Sequence, residues 1–240
     1  MFVVGILIAA VSLLYGTAGQ AGGSGFVAVM TFTSFPLQSI RATALALNVV
    51  AAAYASLQFH RAGMIDRPLL GRVLWPSVPA AFAGGLISLG GAVYSGVTGA
   101  LLLVAAVLMA ARKSSPDAQE RPHGPIWLAG AASGLASGVT GVGGGVFLSS
   151  LLILFAGISP KRTAALSPPY ILANSLAALA GLLIAGQRVP LTALPLAGLA
   201  LLGSAAGTAI GLRWMSERAI RAILAAILLV AAAQLLMRAL

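Results

Sequence analysis

The sequence predicts an all-α, polytopic integral membrane protein, and three properties of the chain support this class. Its 240 residues are 60% hydrophobic and only 8% charged, and the mean hydropathy is +1.02. A soluble domain of this size needs a polar surface that so few charged residues do not provide. The apolar stretches are rich in Leu and Ala and lack the alternation of barrel strands, which favours membrane helices. They fall at 2–15, 24–35, 37–59, 69–90, 94–111, 125–138, 145–157, 163–186, 190–212 and 218–239.

The charge and the cysteine content exclude several classes of partner. The formal net charge is +10, from fourteen Lys and Arg against four Asp and Glu. The basic residues lie between apolar runs and not beside interleaved aromatic residues, so we expect no nucleic-acid partner. Cysteine is absent, which excludes disulfides and thiolate metal sites, and we expect neither a metal nor a cofactor. The apolar run 2–14 lacks a basic segment before it, so we expect it to belong to the protein rather than to a cleaved signal.

The domain organisation follows from one polar stretch and a repeated glycine pattern. The stretch "RKSSPDAQERPHG" at 112–124 predicts a linker between a membrane repeat at 1–111 and a second at 125–240. The spacing G-x-x-G-x-x-G-G occurs in both halves, 122 positions apart, and Pro36 and Thr43 recur as Pro160 and Ser167, 124 positions apart. Gly85 and Gly207 match as well. These matches predict an internal duplication; the motif glycines are Gly16, Gly19, Gly22 and Gly23, and Gly138, Gly141, Gly144 and Gly145.

The distribution of basic residues predicts the orientation of the helices. We define side X as the side of the linker and side Y as the opposite side. Only three basic residues, Arg41, Arg188 and Arg238, fall on side Y, whereas eleven fall on side X. The positive-inside rule therefore places side X, the linker included, in the cytoplasm and the protein in the inner (plasma) membrane, with the C-terminus non-cytoplasmic. The same assignment makes the halves run in opposite directions, as in the inverted repeats of secondary transporters. The basic residues on side X are Arg61, Arg67, Arg72, Arg112, Lys113, Arg121, Lys161, Arg162, Arg213, Arg218 and Arg221.

The first two apolar segments of each half are too short to cross a bilayer separately. They have about 11–14 residues, whereas a spanning helix needs about 20. We therefore predict that each half has a pair of short, broken helices, joined at the glycine motif, and about three full transmembrane helices. Two topologies stay open. A hairpin or two passes leave both chain ends on side Y, while a single pass moves the N-terminus to side X.

The glycine motifs are the predicted substrate-binding site. A helix that begins inside the membrane presents unpaired N–H groups and the positive end of its dipole, and glycine lets an anion approach this backbone closely. The alternative is helix packing, because Gly141 and Gly145 also form a G-x-x-x-G pattern. The candidate backbone positions are Gly22, Gly23, Ser24, Gly143, Gly144 and Gly145.

Several polar side chains at membrane depth can donate hydrogen bonds to an oxyanion. The alternative for each of them is an interhelical hydrogen bond. Gln20 and Gln58 are weaker candidates, and we expect Arg41 to snorkel at the membrane interface. The pair Pro168–Pro169 is expected to weaken its helix and free backbone groups. The candidates are Thr43 and Asn48 in the first half, and Ser167, Tyr170, Asn174 and Ser175 in the second.

The acidic residues argue for an anionic substrate. Asp66, Asp117, Glu120 and Glu217 all fall in predicted loops or at helix ends. A proton relay or cation pump needs carboxylates within the membrane, so a small anion is the expected partner beside the lipid bilayer.

Three other functions were weighed. The stretch "GGSG" at 22–25 resembles the motif of intramembrane serine proteases, but that chemistry needs a general base near the serine. His60 and His123 fall in polar segments, so we predict no catalytic residue and no enzyme. A passive anion channel and a membrane scaffold remain as alternatives.

The twin motifs "GTAGQAGGSG" and "GVTGVGGGV" resemble those of the sulfite exporter TauE/SafE family of membrane permeases. Each precedes a proline and a helix start rich in small residues, "FPLQSIRATALALN" and "ISPKRTAALSPPYILAN", and the likeness covers essentially the whole chain. The resemblance implies transport of sulfur oxyanions such as sulfite, or of organosulfonates. It leaves the oligomeric state open, a homo-oligomer included. Its candidate site positions are Gly22, Gly23, Thr43, Gly144, Gly145 and Ser167.

Overall fold

A computed structural model describes residues 2–33, 35–110 and 126–211, together with separate helical positions between 226 and 239. Within these residues the chain forms helices and no strand, which confirms the all-α prediction. The predicted linker at 112–124 and most of the predicted last helix, 218–239, lie outside the described residues. The helices are α1 (Phe2–Thr17), α2 (Gly23–Phe32), α3 (Leu37–Arg61), α4 (Arg67–Leu86), α5 (Gly91–Ala110), α6 (Ile126–Thr140), α7 (Gly145–Ala156), α8 (Pro160–Ile184) and α9 (Ala193–Gly211).

Three of the described helices are long and apolar enough to cross a membrane. They are Leu37–Arg61 in α3, Lys161–Ile184 in α8 and Ala193–Gly211, which is α9. At 1.5 Å per residue a helix of 25 residues is about 37 Å long, more than the roughly 30 Å of a hydrocarbon core. α1, α2 and α6 are shorter apolar helices. The chain is therefore a polytopic helical membrane protein.

Local chemistry explains where the observed helices differ from the predicted segments. The segment predicted at 69–90 is α4, which begins earlier because the Asp66 side chain accepts a hydrogen bond from the Leu69 N–H (3.0 Å) and caps the helix. The segment predicted at 24–35 is α2, which ends at Phe32. Pro36 disfavours helical geometry at the residue before it, so the chain is extended there and α3 begins anew.

The centre of the protein is the antiparallel pair α3 and α8. At one end, Asp66, which follows α3, contacts Arg162 near the start of α8. At the other end, Ala42 near the start of α3 packs in one buried cluster with Ala178 and Leu182 near the end of α8. The start of each helix thus lies beside the end of the other.

Glycines join the outer helices in two parallel pairs, α1 with α9 and α4 with α6. In each pair, three glycines spaced by four residues lie so close to backbone carbonyl oxygens that any side chain would collide with them. Small residues at this spacing let membrane helices pack closely. Each pair joins a helix before the 112–124 segment with one after it. In the α4–α6 pair, Gly130, Gly134 and Gly138 contact the carbonyl oxygens of Val73, Ser77 and Ala81, respectively. In the α1–α9 pair, Gly203, Gly207 and Gly211 contact those of Ala9, Leu13 and Thr17, respectively.

The short helices form two hairpins that open to opposite ends of the protein. Val4 near the start of α1 and Thr33 just after α2 line the same cavity, so both ends of this pair lie together. Ile126 at the start of α6 and Ala156 at the end of α7 belong to one hydrophobic cluster. Because α3 follows the first hairpin, α8 follows the second, and α3 and α8 are antiparallel, the hairpins enter from opposite sides. In the structure the two short helices of each pair have their outer ends together, as the hairpin alternative requires.

Candidate functional site

Each hairpin has a buried glycine loop at its tip, residues 18–22 between α1 and α2 and residues 141–144 between α6 and α7. Gly22 and Gly144 directly precede α2 and α7 with φ of 111° and 76°, a left-handed conformation that glycine adopts without steric cost. Neither has a side chain that could accept a hydrogen bond from the first turn of its helix. The first N–H groups of α2 and α7 have no acceptor within their own helix, so two positive dipole ends are buried here.

The two loops contact each other. A Cβ atom added to Gly23 would collide with the carbonyl oxygen of Val142, and one added to Gly145 would collide with Oε1 of Gln20. Residue 142 has the position in the second motif that residue 20 has in the first, so the two contacts are equivalent. Glycine is therefore required at position 23 by the backbone of the other loop, whereas Gly145 faces a side chain, and in this structure the contact fills the space between Gly23 and Val142.

The loops lie near the middle of the membrane-spanning region. The ten residues of α2 are about 15 Å long, which is half of a hydrocarbon core of roughly 30 Å. Asn48, which contacts both loops, is the twelfth residue of the 25-residue helix α3. Both measures place the contact between the loops at mid-depth.

Asn48 is the predicted side chain that the structure brings to both loops. It is fully buried, and its Nδ2 donates to the carbonyl oxygen of Gly141 (3.3 Å). A Cβ atom added to Gly143 would lie 2.8 Å from this Nδ2, and one added to Gly23 would collide with it. Among the described residues no donor reaches Asn48 Oδ1. A side-chain amide with unused hydrogen-bonding capacity thus lies between the two helix N-termini.

Ser167 belongs to a polar cluster that the sequence did not predict. Gln20 Nε2 donates to Ser149 Oγ (3.1 Å) and to Ser167 Oγ (3.2 Å), and the two serine hydroxyls are 3.0 Å apart. The cluster connects the first glycine loop with α7 and α8. Gln20 was predicted only as a weaker candidate, and Ser149 was not predicted. The signal that could have found Ser149 is a serine one turn after the last motif glycine in an otherwise apolar helix.

Two other predicted residues bond to neighbours within the protein. Ser24 Oγ is 2.7 Å from the hydroxyl of Tyr15, and Tyr170 Oη is 2.6 Å from Ser133 Oγ. His60 lies in the last turn of α3, on the protein surface, so it is not a base for Ser24. The Tyr170 ring remains close to the second loop, since a Cβ atom added to Gly144 would lie 3.2 Å from it.

Thr43 and Asn174 are buried, but the structure gives them no hydrogen bond to either loop. Asn174 Nδ2 donates to the Tyr170 carbonyl oxygen, one turn earlier in α8. Among the described residues, Thr43 Oγ1 and Asn174 Oδ1 have no hydrogen-bond partner. Gly22 lies beneath the ring of Phe26, so its surroundings are more apolar than those of Gly144.

The prediction for Arg41 was wrong. Arg41 is only 4% exposed, and its guanidinium lies inside the protein rather than at the membrane interface. It donates to the carbonyl oxygens of Gly138 (2.9 Å), Ile87 (2.6 Å) and Gly84 (2.5 Å). These carbonyls lie at the ends of α6 and α4, where the dipole is negative and few helical N–H groups are available, although the Ile87 N–H also donates to Gly84 O (3.3 Å). The ends of two helices therefore replace a carboxylate as the partner of this cation.

The two prolines of α8 remove the helical hydrogen bonds to Ala164 and Ala165 without breaking the helix. α8 continues through Pro168 and Pro169, but Pro168 has no N–H group to donate to Ala164. The first glycine loop packs on this carbonyl, since a Cβ atom added to Gly19 would lie 2.7 Å from the Ala164 oxygen. The freed backbone group thus contacts the loop.

An ion pair lies at the end of the protein where α3 ends and α8 begins. Arg162 Nε donates to Asp66 Oδ2 (2.8 Å), and a second guanidinium nitrogen contacts the same oxygen. The hydrogen bond from the Leu69 N–H lowers the pKa of the Asp66 carboxyl below its usual range, and Arg162 lowers it further. Asp66 is therefore ionised at neutral pH.

An all-helical bundle with two buried, glycine-capped hairpins defines a polytopic membrane protein with an interior polar site. The chain belongs to the sulfite exporter TauE/SafE family, whose family model matches residues 3–235. It is similar to the probable membrane transporter protein y4hK of Sinorhizobium fredii (strain NBRC 101917 / NGR234), with 35% identity over 246 residues that cover 97% of this chain and 98% of the relative. No solved structure matches the chain. The protein is a multi-pass membrane transporter and not an enzyme.

Proposed function

We propose that the protein is a secondary transporter for a small anion, a sulfur oxyanion such as sulfite or an organosulfonate, bound where the two glycine loops meet. The observation that carries this proposal is the meeting of two buried helix N-termini at Asn48. Each N-terminus has the effect of about half a positive charge, so together they attract an anion without a cationic side chain. The TauE/SafE family supports the choice of a sulfur oxyanion.

The binding groups are the first-turn N–H groups of α2 and α7 and the donors around them. Gly22, Gly23 and Ser24 contribute backbone from the first half, and Gly143, Gly144 and Gly145 contribute it from the second. Asn48 Nδ2, which donates to Gly141, supplies a side-chain donor beside the contact, and the hydrogen bonds among Gln20, Ser149 and Ser167 hold the first loop against α7 and α8. Because Gly23 touches Val142 in this structure, an anion binds when the loops move apart.

The two halves are inverted repeats that move against each other. Three observations support this arrangement. The helix pairs α1–α9 and α4–α6 each join one half to the other, and the two hairpins open to opposite ends. Gly16 also closely contacts Gly207, and Gly138 closely contacts Gly84. Rocking of the halves about the α3–α8 pair exposes the site alternately to each side. The excess of basic residues on side X supports a cytoplasmic position for that side.

Purified protein in proteoliposomes is expected to accumulate labelled sulfite or a small sulfonate when a pH or anion gradient is imposed. Empty liposomes and a labelled organic cation of similar size are the controls. A carrier also exchanges internal for external anion, so counterflow separates it from a passive channel. Absence of transport for every sulfur oxyanion under all gradients would contradict the proposed substrate class.

A further inference from the structure

The junction between the two halves differs at the two ends of the protein. At the end where α3 finishes, the Asp66–Arg162 ion pair joins the halves. At the opposite end a cavity of about 560 Å³ lies between them. Its lining comes from both halves and includes Thr33, Phe35, Pro36 and Ser39 of the first, and Pro190 and Thr192 of the second.

The repeat relates these two places to each other. Pro36 matches Pro160, so the position that matches Arg162 is Gln38, beside the cavity residue Ser39. Gly85 matches Gly207, so the position that matches Asp66 is Arg188, near the cavity residue Pro190. Glutamine and arginine cannot form an ion pair. The junction between the two halves thus has an ion pair at one end of the protein and a cavity at the matching place at the other end.

We infer that the structure is the state in which the cavity is the open mouth for the anion on side Y, while the Asp66–Arg162 ion pair holds the mouth on side X closed. This inference rests on the proposed transport function. The lining residues lie near the start of α1, just after α2, near the start of α3 and before α9, and none belongs to the glycine loops, so the cavity is an entrance and not the binding site itself. Two hydroxyl residues of the lining, Ser39 and Thr192, provide donors for a small anion in this entrance, while the Thr33 hydroxyl donates to the Val29 carbonyl oxygen.

The Asp66–Arg162 ion pair, called the latch below, is weak enough to break in every transport cycle. The side chains of Arg162 and Asp66 are 39% and 19% exposed, so the pair is partly screened by water. Such pairs shift a two-state equilibrium by about two- to fivefold, which biases the closed state without trapping it.

Cysteine labelling tests which mouth is open, because the chain has no native cysteine. A charged maleimide that does not cross membranes is applied to Ser39→Cys in the cavity and, as control, to Leu191→Cys, which is 91% exposed and outside the cavity lining. Adding Asp66→Asn removes the charge but keeps a side chain that caps α4. We expect it to slow labelling of Ser39→Cys by up to about fivefold relative to Leu191→Cys, because labelling follows the population of the state with the open mouth on side Y. An unchanged ratio would overturn the latch.

A reversible cross-link tests the other mouth. The variant Asp66→Cys/Arg162→Cys is treated with a bis-methanethiosulfonate reagent, and each single-cysteine variant receives the same treatment. We expect the cross-linked protein to lose transport and to regain it after reduction, while the single variants are unaffected. Transport that continues with the cross-link in place would overturn the inference. The labelling ratio needs no transported substrate, so it decides the inference even if the proposed anion fails.

Discussion

Gly23→Ala is expected to reduce anion transport by about 10- to 100-fold, because the added methyl group must displace backbone. Its Cβ atom would collide with the carbonyl oxygen of Val142 in the other loop, and forcing extra volume into a packed interior costs about 1–3 kcal/mol. The measurement is the initial rate of uptake in proteoliposomes, normalised to the amount of folded protein found by size-exclusion chromatography.

Alanine substitutions at two other glycines serve as comparisons for this prediction. Gly145→Ala meets the side chains of Gln20 and Ile171, which can rotate away, so we expect a smaller loss of transport. Gly198→Ala in α9 meets nothing within 4 Å and is expected to transport at the wild-type rate. If Gly23→Ala transported as fast as Gly198→Ala, the close contact between the loops would not exist in the working protein.

Arg41→Met is expected to produce the largest loss of stability of any single side-chain change. It removes the charged donor from the carbonyl oxygens of Gly138, Ile87 and Gly84, of which, within the described residues, only Gly84 keeps another donor, the Ile87 N–H, and a hydrogen bond to a charged group contributes about 1.5–3 kcal/mol. We expect the free energy of unfolding to fall by about 3 kcal/mol or more. Thermal unfolding in detergent, followed by tryptophan fluorescence, measures this loss.

Two arginine controls separate this role from the effect of net charge. Arg41→Lys keeps the charge but has a compact ammonium group in place of the planar fork, so an intermediate loss is expected. Arg188→Met removes an exposed arginine and is expected to leave the melting temperature unchanged. A wild-type melting temperature for Arg41→Met would contradict the role of Arg41 as the link between the ends of α4 and α6.

The sequence predicted the helices well because their signals are local. The apolar runs depend on neighbouring residues only, so the order of helices and most of their ends followed from the chain. The predictions for the ends of α2 and α4 were wrong by a few residues, since hydropathy alone does not locate a cap or an extended residue before proline.

The site depended on contacts between distant parts of the chain and was predicted less completely. The motif pointed to Gly23 and Gly145, but it did not reveal that each glycine packs against the loop of the other half. Arg41 was assigned to the interface because a long basic side chain near a helix start can snorkel there. Helix ends can instead bind such a side chain inside the protein, and whether two of them converge on one side chain is decided by packing.

The central claim is that an anion binds between the two glycine loops, and anomalous diffraction from crystals soaked with selenite tests it most directly. Selenite has the shape and charge of sulfite, and the chain has no cysteine that would reduce it. We predict one strong selenium peak beside Asn48, between the first turns of α2 and α7, and its loss in Asn48→Leu. A peak elsewhere in the protein, with none at Asn48, would contradict the claim.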